Sequence, residues 1–181
     1  MMNRVVGLLT LIALISCSGP KESNQETEVK EEKALIHSFA RPSEAKVKHL
    51  NLIASVDFEN RVLNATAHYD IETSDNAQKI VFDTRNLSIT KVFVDSMETK
   101  DWWIGPDVEF LGQALEITIT PQAKRVSIEY VTTDGAEALQ WLNPQQTAGK
   151  VQPFLFTQSQ AILARTWIPC QDSPGIRYTY E

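Results

Sequence analysis

The residues that could do chemistry crowd toward the C-terminal end of this chain. The segment PFLFTQSQAILARTWIPCQDSPGIRYTY, residues 153–180, holds Gln158 and Gln160 two apart, then Arg165, Cys170 and Asp172. A glutamine amide carries an acceptor oxygen and two N–H donors. Gln158 and Gln160 alternate with Thr157 and Ser159, so the residues by themselves suit one side of a strand with both amides bonded to backbone. Arg165 and Asp172 suit a structural ion pair between neighbouring segments. Cys170 is a nucleophile only if a base stands beside it. The three histidines, His37, His49 and His68, all lie far upstream. The thiol therefore reads first as a small packed side chain, although folding could bring a histidine to it. The carboxylate pair Asp57 and Glu59 falls on the polar side of a strand pattern, where a solvated charge is the default. No H-E-x-x-H, no pair of His at i, i+4, no C-x-x-C, no G-x-S-x-G, no G-x-G-x-x-G and no P-loop occurs.

These groups must be positioned by strands. In LNLIASVDF the apolar residues Leu50, Leu52, Ala54, Val56 and Phe58 recur with period two, the mark of a half-buried strand. ENR is a turn. Leu63, Ala65, Ala67, Tyr69 and Ile71 then alternate with Asn64, Thr66, His68 and Asp70, which predicts a second strand antiparallel to the first. His68 falls on the polar face, solvated or hydrogen-bonded. KIVFD, LSITKVFVD, VEFL, ALEITIT and RVSIEYVTT are further strand candidates, separated by loops holding Asn, Asp, Gly and Pro. Ile176, Tyr178 and Tyr180 alternate in a last strand pattern. Of Trp102 and Trp103, one is expected to pack and the other to cap an edge. No long amphipathic helix is evident. The pattern predicts an all-β fold, an antiparallel sandwich or curved double sheet.

The first residues, MMNRVVGLLTLIALISC, have Arg4, an apolar run from Val5 to Ile15 too short to span a bilayer comfortably, and Leu14 three residues before Cys17. This resembles the lipobox of bacterial lipoproteins. The resemblance implies a signal peptide over 1–16, cleavage before Cys17 and lipidation of that thiol, with several acyl chains giving stable anchoring. Cys170 then has no disulfide partner. Residues 17–36 then form the lipidated Cys and a disordered tether: SGPKESNQETEVKEEKA, 18–34, contains many charges and no aromatic side chain, which suits a solvated linker, with a short charged helix as the alternative. The formal net charge of −6 and pI near 5.1 argue against nucleic acid as a partner.

LQWL around Trp141, TAGK at 147–150, PFLFTQSQ at 153–160, Arg165 and PCQDSP at 169–174 together resemble the N-terminal domain of M1-family zinc aminopeptidases. The resemblance is to the leukotriene A4 hydrolase-like branch. KHLNLIASVDFENRVLNATA and VFDTRNLSITKV resemble that branch's opening strands, so the likeness runs from about His37 to the end. It implies a saddle-shaped all-β domain, 37–181, beside a thermolysin-like catalytic domain that would carry H-E-x-x-H and a zinc ion. By the same resemblance Gln158, Gln160 and Ala161 would line the cleft and bind the free N-terminus of a peptide substrate. Most members have Glu where Gln160 stands, and Gln offers the ammonium only a neutral acceptor. The implied whole protein is a lipid-anchored metallo-aminopeptidase of the bacterial cell envelope, with Cys17 as its membrane attachment. The 181 residues hold no zinc motif of their own and are expected to be inactive alone. IRYTYE stops within a strand pattern, as a truncated chain would. The alternative is a free-standing β-sandwich envelope lipoprotein with a binding or assembly role.

Overall fold

The computed structural model describes residues 37–181; the signal-peptide, Cys17 and tether readings fall outside the described residues. Eleven strands account for most of the regular structure: β1 (Ala45–Asp57), β2 (Val62–Thr73), β3 (Lys79–Thr84), β4 (Leu87–Val94), β5 (Met97–Thr99), β6 (Trp102–Ile104), β7 (Gln113–Thr118), β8 (Arg125–Thr132), β9 (Leu139–Leu142), β10 (Phe154–Thr157) and β11 (Thr179–Tyr180). The only helical pieces among the described residues are the 3₁₀ turns Pro144–Gln146 and Ala164–Thr166. The fold is all-β, as the alternation predicts.

Six strands form one sheet in the order β11-β1-β2-β8-β4-β5. Its pairs are antiparallel except β1 with β11, which run parallel. A second sheet has the order β3-β7-β6, and β9 pairs with β10 as a hairpin. Side chains of the two larger sheets share one core. Val47, Leu50, Ala67, Tyr69, Val92, Val126, Ile128 and Tyr130 come from the first; Ile80, Phe82, Leu115 and Ile117 come from the second. Each Val, Leu, Ile or Phe among them taken from water contributes about 1.5–3 kcal/mol before conformational entropy is subtracted. Tyr69 and Phe82 lie tilted against each other at 4.7 Å between ring centroids. A smaller cluster of Leu63, Ala136 and Leu139, with Trp141, Leu155 and Trp167 against it, lies under the hairpin.

β2 follows the predicted alternation throughout: Leu63, Ala65, Ala67, Tyr69 and Ile71 are all buried. β1 does not. The register shifts between Val47 and His49, so the buried residues are Ala45 and Val47 before the bulge and Leu50 after it. Beyond Leu52 the strand runs past the core, and Val56 and Phe58 are exposed. β4 has a similar shift between Ile89 and Lys91. VEFL is not a strand. Val108 bridges Gly112 and the residues between them turn, with φ of 66° at Phe110 and 76° at Gly112. Gly112 is needed there because a Cβ would meet the Thr84 carbonyl oxygen at 2.3 Å. Trp102 packs on the core, while Trp103 stands exposed on β6, the edge of its sheet. His68 faces outward and its Nδ1 lies 2.8 Å from the Ser127 hydroxyl. Of the last alternating pattern only Thr179–Tyr180 is strand, and Tyr180 is exposed while Tyr178 packs on the core.

Candidate functional site

The two glutamines lie just past the end of a strand. Phe154 pairs with Leu142 and Thr157 with Leu139, and the hairpin ladder stops at Thr157. The Gln158 N–H extends it by one bond, to the Ala138 carbonyl at 2.9 Å. Ala138 is held from its other side as well: its N–H donates to the Thr166 hydroxyl oxygen at 3.1 Å, and that hydroxyl donates to the Leu163 carbonyl at 2.7 Å. Ser159 is fixed twice. Its carbonyl accepts from the Leu163 N–H at 2.9 Å and its hydroxyl accepts from the Trp167 indole N–H at 3.0 Å. The turn from Gln158 to Leu163 is therefore tied at both ends to buried backbone, and its peptide bond between Gln160 and Ala161 is cis.

Within that turn Gln158, Gln160 and Ala161 are all exposed, so the structure brings the three predicted residues together at one surface. The two glutamines differ. The Gln158 Oε1 accepts from the Gln160 backbone N–H at 3.0 Å, so its acceptor is spent inside the turn. The Gln160 side chain has no hydrogen-bond partner among the described residues. A neutral, solvent-facing amide on a fixed backbone can accept a hydrogen bond from a ligand cation, with only the side chain itself left to be ordered.

Behind the turn is a buried polar hub that the spacing of Arg165 and Asp172 predicts only in part. Arg165 is fully buried. Its Nε donates to Asp172 Oδ2 at 3.1 Å, Nη1 to the Leu111 carbonyl at 2.8 Å and Nη2 to the His37 carbonyl at 2.6 Å. Asp83, equally buried, lies 3.7 Å from Nη1 and accepts from the Ser38 hydroxyl, the Phe39 N–H and the Asp172 N–H. Burial pushes the Asp83 carboxyl above its ordinary range, against those donors and the guanidinium. Gln171 is buried too: its Oε1 accepts from the Val47 N–H, and its Nε2 donates to the Ala45 and Val81 carbonyls, joining β1 and β3 beside the bulge. Nothing local announces Gln171, Asp83 or Trp167 in these roles, because every side-chain partner but Ser159 is distant in the chain.

Cys170 is buried and its backbone bridges Asp83. Burial raises its thiol well above the ordinary value, helped by the Asp172 and Asp83 carboxylates, so it stays a protonated packed side chain. His49 and His68 line a hollow of about 640 Å³ on the outer face of the six-stranded sheet, away from the Gln turn. Asp57 caps its own turn, accepting from the Glu59 and Asn60 N–H groups. Among the described residues no group of three or more His, Cys, Asp or Glu side chains is arranged to hold a metal ion. The zinc that the family resemblance implies belongs to the catalytic domain, and the described residues offer it no ligand set.

Comparison with known proteins bears on the same segment. The sequence profile of the Peptidase M1 N-terminal domain matches residues 46–181. Leukotriene A-4 hydrolase of Xenopus laevis is 39% identical over 149 residues, covering 79% of this chain and 24% of that protein. Leucine aminopeptidase 2 of Sclerotinia sclerotiorum is 33% identical over 143 residues, covering 75% and 24%. The solved structure of yeast LTA4 hydrolase in complex with bestatin superposes with a TM-score of 0.75 at 28% identity, over 90% of this chain and 26% of that one. The chain thus spans about a quarter of the length of the curated relatives it matches. Over the hairpin, the Gln turn and the Arg165 hub alike, this chain belongs to the M1 peptidase family, as its N-terminal domain.

Proposed function

We propose that these residues form the substrate-binding N-terminal domain of a zinc-dependent metallo-aminopeptidase of the leukotriene A4 hydrolase-like type, which removes N-terminal residues from peptides. The observation that carries the reading is the exposed turn 158–161, tied to buried backbone at both ends, with the Gln160 amide unengaged. In this role the Gln160 Oε1 accepts from the ammonium of the peptide's free N-terminus. Ala161 lines the cleft beside it. Gln158 contributes by holding the Gln160 backbone, its own oxygen being already used. Phe154 and Phe156, exposed on the hairpin that leads into the turn, offer an apolar approach to the catalytic domain that would close the cleft. That domain would supply H-E-x-x-H and the zinc, which have no counterpart in the 181 residues. Hydrolysis then needs it, and no step of the reaction is assigned to residues of this domain beyond holding the substrate.

The LISC sequence at 14–17 supports placing the whole protein at the cell envelope through lipid on Cys17. Metabolic labelling with a lipid precursor, lost in Cys17→Ser, tests that part separately. The substrate role is tested in this chain joined to its catalytic domain, with an aminoacyl amide as substrate. A hydrogen bond to a charged group is worth about 1.5–3 kcal/mol, so Gln160→Ala is expected to raise KM by roughly 10-fold or more. Bound zinc should be unchanged. Gln160→Glu is expected to lower KM, since a carboxylate pairs with the ammonium. A KM unmoved by both substitutions would overturn the assignment.

A further inference from the structure

We infer that Trp167 is a positioning residue for the Gln158–Ala161 turn: its indole N–H holds Ser159, and through Ser159 the two flanking glutamines. The inference rests on reading that turn as the substrate-binding element.

Trp167 is itself fixed independently of the turn. It follows the 3₁₀ turn Ala164–Thr166, and its backbone N–H donates to the Ala164 carbonyl at 3.0 Å. The two residues before it, Arg165 and Thr166, are fully buried and hydrogen-bonded to distant segments. Its ring packs against both apolar clusters, the main core and the smaller one under the hairpin. A half-buried indole of this kind presents one polar atom that needs a partner. Here the partner is the Ser159 hydroxyl at 3.0 Å.

Ser159 lies between the glutamines in sequence, and its side chain turns inward while both neighbours are exposed. Its carbonyl is engaged by the Leu163 N–H, four residues on, at 2.9 Å, and its hydroxyl by the Trp167 indole, eight residues on. Holding the carbonyl and the hydroxyl of the middle residue fixes where residues 158 and 160 project. The Gln158 oxygen then meets the Gln160 N–H at 3.0 Å, which completes the turn. A ring without the N–H would preserve the packing at 167 and lose the hold on Ser159. That separates a positioning role from a packing role.

Two variants probe the bond from opposite ends. Trp167→Phe keeps an aromatic ring; Ser159→Ala removes the acceptor and leaves the ring in place. One neutral hydrogen bond corresponds to roughly a 2- to 10-fold change in an equilibrium. In the 181-residue chain, exchange of the Leu163 amide is expected to accelerate by that factor in each variant. The double variant should be no faster than the larger single effect, while the Val126 and Ile128 amides of β8 stay protected. Unchanged Leu163 exchange in Ser159→Ala, or additive effects in the double variant, would overturn the strut. In the chain joined to its catalytic domain, KM for an aminoacyl amide is expected to rise by a similar factor with kcat held within about twofold. Faster exchange with an unmoved KM would overturn the positioning role and leave only a structural bond. If the joined wild type fails to cleave aminoacyl amides, the functional reading falls, and the exchange result still decides the strut.

Discussion

Removing the Arg165 side chain should be among the most damaging single changes in the domain. Arg165→Met keeps an unbranched apolar stem and deletes the guanidinium. Four partners lose it: Asp172, the Leu111 and His37 carbonyls, and Asp83 at 3.7 Å. Hydrogen bonds to a charged group are worth about 1.5–3 kcal/mol each, so the three direct residue partners set a gross loss of about 4.5–9 kcal/mol. Part of this is recovered. Asp172 retains some exposure and can hydrate, and Asp83 keeps its bonds from Ser38, Phe39 and Asp172. Breaking one side of a buried ion pair typically costs about 3–5 kcal/mol, which is where the net should fall. Urea unfolding followed by tryptophan fluorescence reads this directly, because Trp167 lies two residues away. For a domain of this size the same loss corresponds to a fall in Tm of roughly 10 °C. A loss below about 1 kcal/mol, with an unchanged m-value, would refute the claim that the guanidinium ties these four segments together.

Three further outcomes are expected. Because burial raises the folded pKa of Asp83 above its ordinary value of 3.8, the folded state binds its proton more tightly than the unfolded state. Its contribution to stability is therefore fully present below that value and is lost as pH rises through the folded pKa. The stability of the wild type minus that of Asp83→Asn should fall with rising pH from about 4 upward in urea titrations; a difference that grows instead would mean Arg165 wins over burial. The Tyr130 hydroxyl is buried with no hydrogen-bond partner among the described residues, so Tyr130→Phe should leave thermal stability unchanged or raise it, and a loss above about 1 kcal/mol would reveal a hidden partner. The isolated 181-residue chain, dialysed against zinc and assayed by atomic absorption, should retain no stoichiometric ion, and one tightly held zinc per chain would contradict the absence of a ligand cluster among the described residues.

How far the sequence could be read depended on whether each strand met the core along its whole length. β2 does, and its alternation predicted every buried residue from Leu63 to Ile71. β1 carries an equally regular pattern, but the bulge after Val47 flips its parity and its far half overhangs the core. A bulge changes which face a residue serves without changing the composition around it, so period alone cannot locate it. β3 is buried from Ile80 to Thr84 and has no alternation to read. β5, β6, β9 and β10 are three or four residues long, too short for a period, and exist because a neighbouring strand pairs with them. VEFL misled because its apolar residues sit in a turn, where Phe110 takes a positive φ that side-chain type did not foretell.

The candidate site divides in the same way. Its residue types, the alternation that makes the domain all-β, and the likeness of TQSQ and PCQDSP to a family pattern are properties of the chain written out as letters. They nominated Gln158, Gln160 and Ala161 and paired Arg165 with Asp172. Only the tertiary structure decided that the glutamines leave the strand and serve differently, one bonding the turn and one facing solvent. Only it set Trp167 against Ser159, Thr166 against Ala138, and Arg165 against carbonyls at His37 and Leu111. The physical reason is reach. Period and motif record what a residue's near neighbours impose, whereas a buried polar group must find its partner wherever the folded chain supplies one.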